Sequence, residues 1–533
     1  MESIKKYITS LNLVFFVEVL VVILTISGIL PREALLFLFG ILLFFVLFSS
    51  YEESILLIVR SIPLFTALPI TETFDSLNTW RIIVFLLFLK WFFNDNFFLF
   101  FDAIFTILKK TKSSFIDALK FSYQKWKIES LIFLLFLISL FSLFKADDLI
   151  IGVKRIIYFI NLGMLFFVIR SVAKNIELLK IAKNIVISGI IVVAIGFFQL
   201  YLAYVMPIND FSELWALKVN EALYGTAWSE IVISKNTWFA YYNDTIHLRM
   251  FSSFPDTHSF PLYLLMISAF SMVILFKRKG EKKSYTYIFL FILLTFFAII
   301  LSGTRGIWAS FIFPIIFLIF IIWKKYFPIN IVKIILIPFM AFLILLPLSS
   351  PIFSSKQFNI LSQENKSSRA FTERFKSIID IEEKSNKGRI YIWMESIKSI
   401  YKNPILGVGI GNYPVVLKED ASAIKAGSSA HNIYLHMAAE LGIFGFLVFI
   451  FIIYEILKRS LYIVKENFDE ISKFFSAITF LFLIWILGYL MTDVAIFDER
   501  AFLMLMILLG VLFSITSQRE TSPLERKKIR TDI

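Results

Sequence analysis

The chain has 533 residues, of which 58% are hydrophobic and 17% charged, and its mean hydropathy is +0.80. A soluble protein of this length would need far more polar surface, and apolar runs of about 20 residues, long enough to span a bilayer, recur almost from end to end. The composition excludes an ordinary soluble enzyme and points to an all-α, polytopic membrane protein. A net charge of +13 would suggest nucleic acid as the partner of a soluble protein. In a membrane protein it is explained by the lysines and arginines that orient the spans, so no nucleic acid is expected. The chain has no cysteine, which excludes disulfides and thiolate chemistry.

In chain order, the first apolar run, Leu11 to Leu30, has spanning length and no small-residue cleavage site, so it reads as a retained helix. About fourteen spans follow from a window of roughly 20 residues. Their centres lie near Val21, Leu42, Leu64, Leu87, Leu137, Leu162, Ile195, Ser268, Phe296, Ile315, Phe339, Phe446, Phe482 and Leu508. Arg60, Pro63 and Pro69 interrupt the third, and Lys90 and Asp95 the fourth. Basic clusters precede spans one and five, separate six from seven, eight from nine and ten from eleven, and follow twelve and fourteen. With alternating spans these clusters share one side, which the positive-inside rule makes the cytoplasm, with both termini there.

The opposite side receives two long loops. The chain then divides into N-terminal membrane helices (1–206), a first outer loop (207–257), central membrane helices (258–349), a large outer loop (350–430), C-terminal membrane helices (431–517) and a cytoplasmic tail (518–533). The inner loops leave no room for a nucleotide-binding domain, and no phosphate-binding loop sequence is present. In the large loop, Ile390, Trp393, Met394, Ile397 and Tyr401 recur at three- and four-residue spacing, which predicts an amphipathic helix on the membrane surface or over a cavity. Asn403-Pro404 ends it. The run Gly407-Val408-Gly409-Ile410-Gly411 has the look of a dinucleotide loop, but no βαβ unit surrounds it, and that reading is rejected.

Five polar residues, far apart in sequence, fall on the outer side. Arg249 lies just before the eighth span, Arg305 in the tight turn Ser302-Gly303-Thr304-Arg305-Gly306, Arg389 at the start of the amphipathic helix, His431 at the opening of the twelfth span and Asp493 at the end of the thirteenth. A guanidinium is always charged and its forked donors match phosphate oxygens, so converging arginines would suit a lipid-anchored diphosphate. Each could equally snorkel to headgroups or pair with a carboxylate. A histidine has an ordinary pKa near about 6.5 and can serve as general base; His431 could also be a helix-start residue satisfied by a carbonyl. Asp493 could orient that histidine or hold an acceptor, pair with Arg500, or cap a helix. His247, His258 and His436 form no metal-ligand spacing with His431. Trp228, Trp238, Tyr241 and Tyr242 could stack on sugars or anchor the interface.

At these residues the sequence resembles the O-antigen ligase and polymerase superfamily. His431-Asn432, nine residues, then Gly442-Ile443-Phe444-Gly445 is similar to the ligase pattern, Ser302 to Gly306 looks like the family's arginine-glycine turn, and Gly388-Arg389, Trp393, Asn403-Pro404 and Gly407-Val408-Gly409 look like its large outer loop. The resemblance implies a metal-independent, inverting glycosyltransferase of the bacterial inner membrane, without a cofactor. Its donor would be a glycan on undecaprenyl diphosphate and its acceptor a lipid or glycan hydroxyl, lipid A–core for a ligase or the lipid-linked repeat for a polymerase. Arg305 and Arg389, with Arg249, would hold the diphosphate; His431 would activate the acceptor. A flippase for a lipid-linked sugar would instead place ionisable residues near the midplane, in paired broken helices. An envelope scaffold has no reason to gather these side chains on one face.

Overall fold

In hydrocarbon the backbone finds no water, so each spanning segment must satisfy its own amides and carbonyls, and long apolar runs become helices. The computed structural model describes residues 9–71, 75–96, 127–234, 238–242, 245–278, 280–355, 357–358, 376, 378, 380, 384–419 and 429–520. Among them, ten helices are long and apolar enough to cross a membrane. The protein is an all-α, multi-pass membrane protein. The lysines predicted to precede the fifth span between 109 and 125, those at 5 and 6, and the basic tail at 526–528 lie outside the described residues.

The N-terminal helices are α1 (Ser10–Ile26), α2 (Ala34–Phe48), α3 (Tyr51–Ser61) and α4 (Thr79–Trp91). These four are shorter than the ten spanning helices; thirteen of the fourteen predicted centres fall inside a helix, and the third, Leu64, falls in the 3-10 turn after α3. The interruption expected at Pro63 and Pro69 is real: α3 passes into a 3-10 turn at Ile62–Leu64, and a two-residue hairpin pairs Ala67–Leu68 (β1) with Leu77–Asn78 (β2) before α4. Arg60 is buried, and donates to the side-chain oxygens of Asn184 (2.6 Å) and Asn12 (2.7 Å). A charge inside apolar packing persists only when paired or hydrogen-bonded, and the two asparagines meet that need.

Next come α5 (Lys127–Ser142), α6 (Leu149–Ala173) and α7 (Leu178–Val205). The stretch read as a first loop is instead a folded cap: α8 (Ile208–Glu213), a π-turn, α9 (Glu221–Tyr224), α10 (Thr226–Ser234) and a hairpin of β3 (Phe239–Tyr242) and β4 (Thr245–Leu248). Its core includes Phe211, Trp215, Trp238, Phe251 and Phe358. Trp238 stacks on Phe251 at 4.6 Å and its indole donates to Pro255 O, while Trp228 packs on the edge of the same cluster. Trp238 is therefore a core residue of the cap rather than a sugar platform or an interfacial anchor, while Trp228 is partly buried at its edge.

The central helix α11 (Ser259–Lys277) is buried along nearly its whole length. Around it run α12 (Lys282–Leu301), α13 (Arg305–Ser310), α14 (Ile312–Trp323), α15 (Ile329–Leu348) and the short α16 (Ser350–Ser354). The chain continues through α17 (Lys384–Lys402), α18 (Ile433–Lys465), α19 (Glu470–Tyr489) and α20 (Glu499–Glu520).

The described parts of the loops assigned by alternation to the outer side meet at one end of the bundle, stitched by bonds between distant segments. Arg32 pairs with Asp75 (2.6 Å) and Glu221 (3.2 Å). Asn412 accepts from Asp148 N and donates to its carbonyl. Arg500, fully buried, donates to the carbonyls of Ile62, Phe65 and Ser253 and to the Tyr224 hydroxyl. Arg500 is therefore a structural clamp, and the pairing with Asp493 considered above is not made.

Asp498 caps the start of α20, its carboxylate accepting from Arg500 N and Ala501 N at 3.1 Å each. Burial, then the Asp256 and Glu499 carboxylates, push it up to about 7. A carboxyl raised on folding holds a proton that the unfolded chain has lost, so stability falls as pH rises from about 4 to about 7. Asp498→Asn keeps the cap and removes the titration. Thermal denaturation in detergent should show the variant gaining on the parent across that window; an equal difference at pH 4.5 and pH 8 would refute this.

Candidate functional site

The site forms where four segments meet at the loop-rich end. The first is Arg249 to His258, entering α11. Arg249 N donates to Trp238 O (2.7 Å), and its guanidinium donates to Ser302 O (3.2 Å) and reaches Thr304 Oγ1 (3.5 Å). Asp256 caps α11, accepting from His258 N (2.7 Å), Ser259 N (2.8 Å) and Ser259 Oγ (3.1 Å).

The second segment is the turn Ser302 to Gly306. Thr304 Oγ1 donates to Thr257 O (2.7 Å), fastening this turn to the first segment. A Cβ at Gly306 would lie 2.5 Å from Thr492 Oγ1 and 2.8 Å from the Tyr489 ring. Glycine here lets the Arg305 backbone sit directly against the end of α19, and the half-buried Arg305 opens α13 at that contact.

The third segment is α17 with the glycine-rich run behind it. The predicted helix exists, but its apolar stripe faces away from the protein: Ile390, Met394, Ile397 and Tyr401 are exposed. The inward stripe is Arg389, Trp393, Ser396 and Ile400, at spacings of four, three and four. The Trp393 indole donates to Ala430 O (3.0 Å), and Ser396 Oγ meets the Tyr413 hydroxyl at 2.6 Å. Trp393 thus belongs to the opposite face from the one predicted, because beside lipid an apolar surface can point outward without cost.

The fourth segment is His431-Asn432 with α18, facing Asp493 beyond α19. Asn432 caps α18, its side chain accepting from Tyr434 N and Leu435 N. His431 just before it has φ +45°, a left-handed conformation rare for non-glycine residues and frequent at functional sites. Ile433 N donates to Leu490 O (2.8 Å), fixing the start of α18 to the end of α19.

These segments bring Asp493 Oδ2 to 3.9 Å from His431 Nδ1 and 3.3 Å from His258 Nδ1. Its other oxygen accepts from Val494 N (2.8 Å) and Ala495 N (2.9 Å). The Tyr489 hydroxyl is 3.0 Å from His258 Nδ1. Burial alone would raise the Asp493 carboxyl, but His258, then His431 and Arg389, hold it well below the usual carboxylate range. Burial pushes His258 down more than Asp493 lifts it, with Arg249 and Arg389 adding to the lowering. The centre thus pairs a carboxylate held down by its cationic neighbours with a histidine pushed down by burial, and two arginines lie within electrostatic reach.

Of the five predicted residues, His431 and Asp493 face each other, Arg389 acts electrostatically on Asp493 and on the adjacent His258, Arg249 acts on His258, and Arg305 opens the neighbouring turn. His258 and Tyr489 were not singled out. Tyr489 stands at the end of an apolar helix, and His258 carries no spacing to His431; the overlooked signal was its place two residues past a capping aspartate at the same outer face.

Beneath the site, an apolar cavity of about 610 Å³ runs between α5, α6, α18, α19 and α20. Ile433 and Leu490 line it next to the site, with Phe136, Phe159 and Leu509 further along.

Helix α18 breaks at Gly442 (φ +67°). The carbonyls freed by the break accept from Val408 N (2.9 Å, Ala439 O) and Gly409 N (3.1 Å, Glu440 O), while Ile443 N donates to Pro404 O (2.8 Å). The run that looks like a dinucleotide loop is therefore a splint for a broken helix. A buried helical break needs such substitute partners.

Fold and site together define a multi-pass membrane protein with a cation-rich, histidine-containing centre at one end of its bundle. Residues 289–450 match the O-antigen ligase family model, a likeness of that stretch consistent with the O-antigen ligase/polymerase superfamily. The match supports a ligase- or polymerase-like membrane enzyme. It spans Arg305, Arg389, His431 and Gly442, and leaves Arg249, His258 and Asp493 outside. No curated protein matches the chain.

Proposed function

We propose that the protein transfers a glycan from undecaprenyl diphosphate to an acceptor hydroxyl at the periplasmic face of the bacterial inner membrane, as an O-antigen ligase acting on lipid A–core. The observation that supports this is that His431 and His258 face one Asp493 carboxylate, at 3.9 Å and 3.3 Å, with Arg389 and Arg249 within electrostatic reach of that group, at the end of the bundle opposite the lysine-rich loops. Arg249, Arg305 and Arg389 grip the diphosphate with charge-assisted, forked hydrogen bonds. The acceptor oxygen attacks the anomeric carbon, the bond from that carbon to the diphosphate breaks, and the diphosphate leaves with the electron pair. His431 takes the acceptor proton, and Asp493 faces the imidazolium that results. A single displacement inverts the anomeric carbon. The apolar cavity that starts at Ile433 and Leu490 suits a polyprenyl tail, and the exposed stripe of α17 suits the membrane surface.

In a reconstituted assay with polyprenyl-diphosphate-linked oligosaccharide and lipid A–core, release of polyprenyl diphosphate should proceed with a chelator present and without ATP. Passage of the intact lipid across the bilayer with no bond cleavage would sink the proposal. Arg305→Ala and Arg389→Ala should each raise the KM for the lipid-linked donor by about ten- to a hundredfold, the worth of one or two hydrogen bonds to a charged group. An unchanged donor KM in both would remove the arginines from the donor site. The ligase reading is separated from polymerase by surface glycan in a deletion strain: unattached chains mean ligase, single repeats on the core mean polymerase.

A further inference from the structure

We propose that His258 is a positioning residue: carrying its proton on Nδ1, it holds Asp493 Oδ2 between itself and His431, so that one carboxylate serves both histidines. This rests on the transfer reaction proposed above. His258 Nδ1 faces two oxygens, Tyr489 Oη at 3.0 Å and Asp493 Oδ2 at 3.3 Å. Asp493 is ionised and has no proton to give, so an unprotonated Nδ1 would set two lone pairs against each other. A proton on Nδ1 that points at the carboxylate removes that repulsion, which the Tyr489 hydroxyl donating to a bare Nδ1 would not.

The other groups facing this pair are Arg249, Asp256, Arg389 and His431. Arg389 competes for Asp493, and a carboxylate that swung to it would abandon His431 and neutralise a charge meant for the diphosphate. Three constraints oppose that swing: the backbone amides of Val494 and Ala495 hold Oδ1, and His258 holds Oδ2. His258 can do so because α11, the most buried helix of the bundle, begins at the next residue, with Asp256 fixing the turn.

The chain has only four histidines, so nitrogen-15 NMR of histidine-labelled full-length protein in phosphatidylcholine–phosphatidylglycerol bilayers can resolve them, with His258→Asn identifying its signal. At pH 7 His258 should be neutral and protonated on Nδ1; protonation on Nε2, or a cationic ring, would overturn the proposal. In the transfer assay, His258→Leu should lose about ten- to a hundredfold in kcat, the cost of a misplaced group, with a smaller change in donor KM. His258→Asn, whose amide can donate from the position of Nδ1, should recover most of that loss. If His258→Asn is as inactive as His431→Ala, His258 touches substrate itself and the positioning role is wrong. Should the wild-type protein transfer no glycan while the Nδ1 proton is found, the transfer reading fails and the His258–Asp493 contact stands.

Discussion

His431→Ala is expected to abolish glycan transfer while leaving a folded, membrane-inserted protein. A positioned general base contributes about 10²- to 10⁴-fold, and no neighbour duplicates the location of this one. His258 Nδ1 already faces Asp493 Oδ2 and the Tyr489 hydroxyl. Folding should survive because the residues that hold the start of α18 are others: Asn432 caps the helix, and Ile433 N is bonded to Leu490 O. Alanine also tolerates φ +45° poorly, so His431→Asn, a residue more at ease there, is the better control for backbone strain. Both variants should lose kcat with little change in donor KM, because the base meets the acceptor and the arginines meet the donor. Near-normal turnover in either variant would discard the assignment and bring Asp493 forward as the base.

Gly442→Ala should be severely damaging for a single added methyl. The φ of +67° and ψ of −173° at this residue fall in a region open almost only to glycine, at a cost on the order of 1–3 kcal/mol for any other residue. The added Cβ would also stand 2.3 Å from Ile405 O, a backbone atom that cannot turn aside. Relief requires the 404–411 run to withdraw, which unpairs Ala439 O, Glu440 O and Ile443 N together. A fall in melting temperature on the order of 5–10 °C is expected, with loss of transfer, because α18 carries His431 at its start. Gly163→Ala, in an ordinary helical position with open space around it, is the matched control. Equal melting temperatures for the two variants would show that the break at Gly442 is not under this constraint.

Much of the architecture is legible in the sequence because the bilayer simplifies the problem. Apolar length near 20 residues means a helix, alternating charge means alternating spans, and Pro63 with Pro69 means an interruption; each is a local property that the lipid environment leaves no other way to satisfy. The same logic places Arg249, Arg305, Arg389, His431 and Asp493 on one side of the membrane. Alternation alone puts them there, and the bonds that stitch the loops of that end together agree with it.

Only the tertiary structure decided what these residues do to one another. That Asp493 faces His258 as well as His431 depends on how α11, α18 and α19 pack, and helix packing inside lipid leaves little periodic mark on a sequence whose every face is apolar. The face of Trp393 on α17 is undecided in the sequence for the same reason: Ile390, Met394 and Tyr401 turn outward, as a helix on the membrane surface would have them, while Arg389 and Trp393 turn in. The glycine run at 407–411 acquires its meaning only against the break at Gly442, because a backbone hydrogen bond between segments thirty residues apart is written in no local pattern.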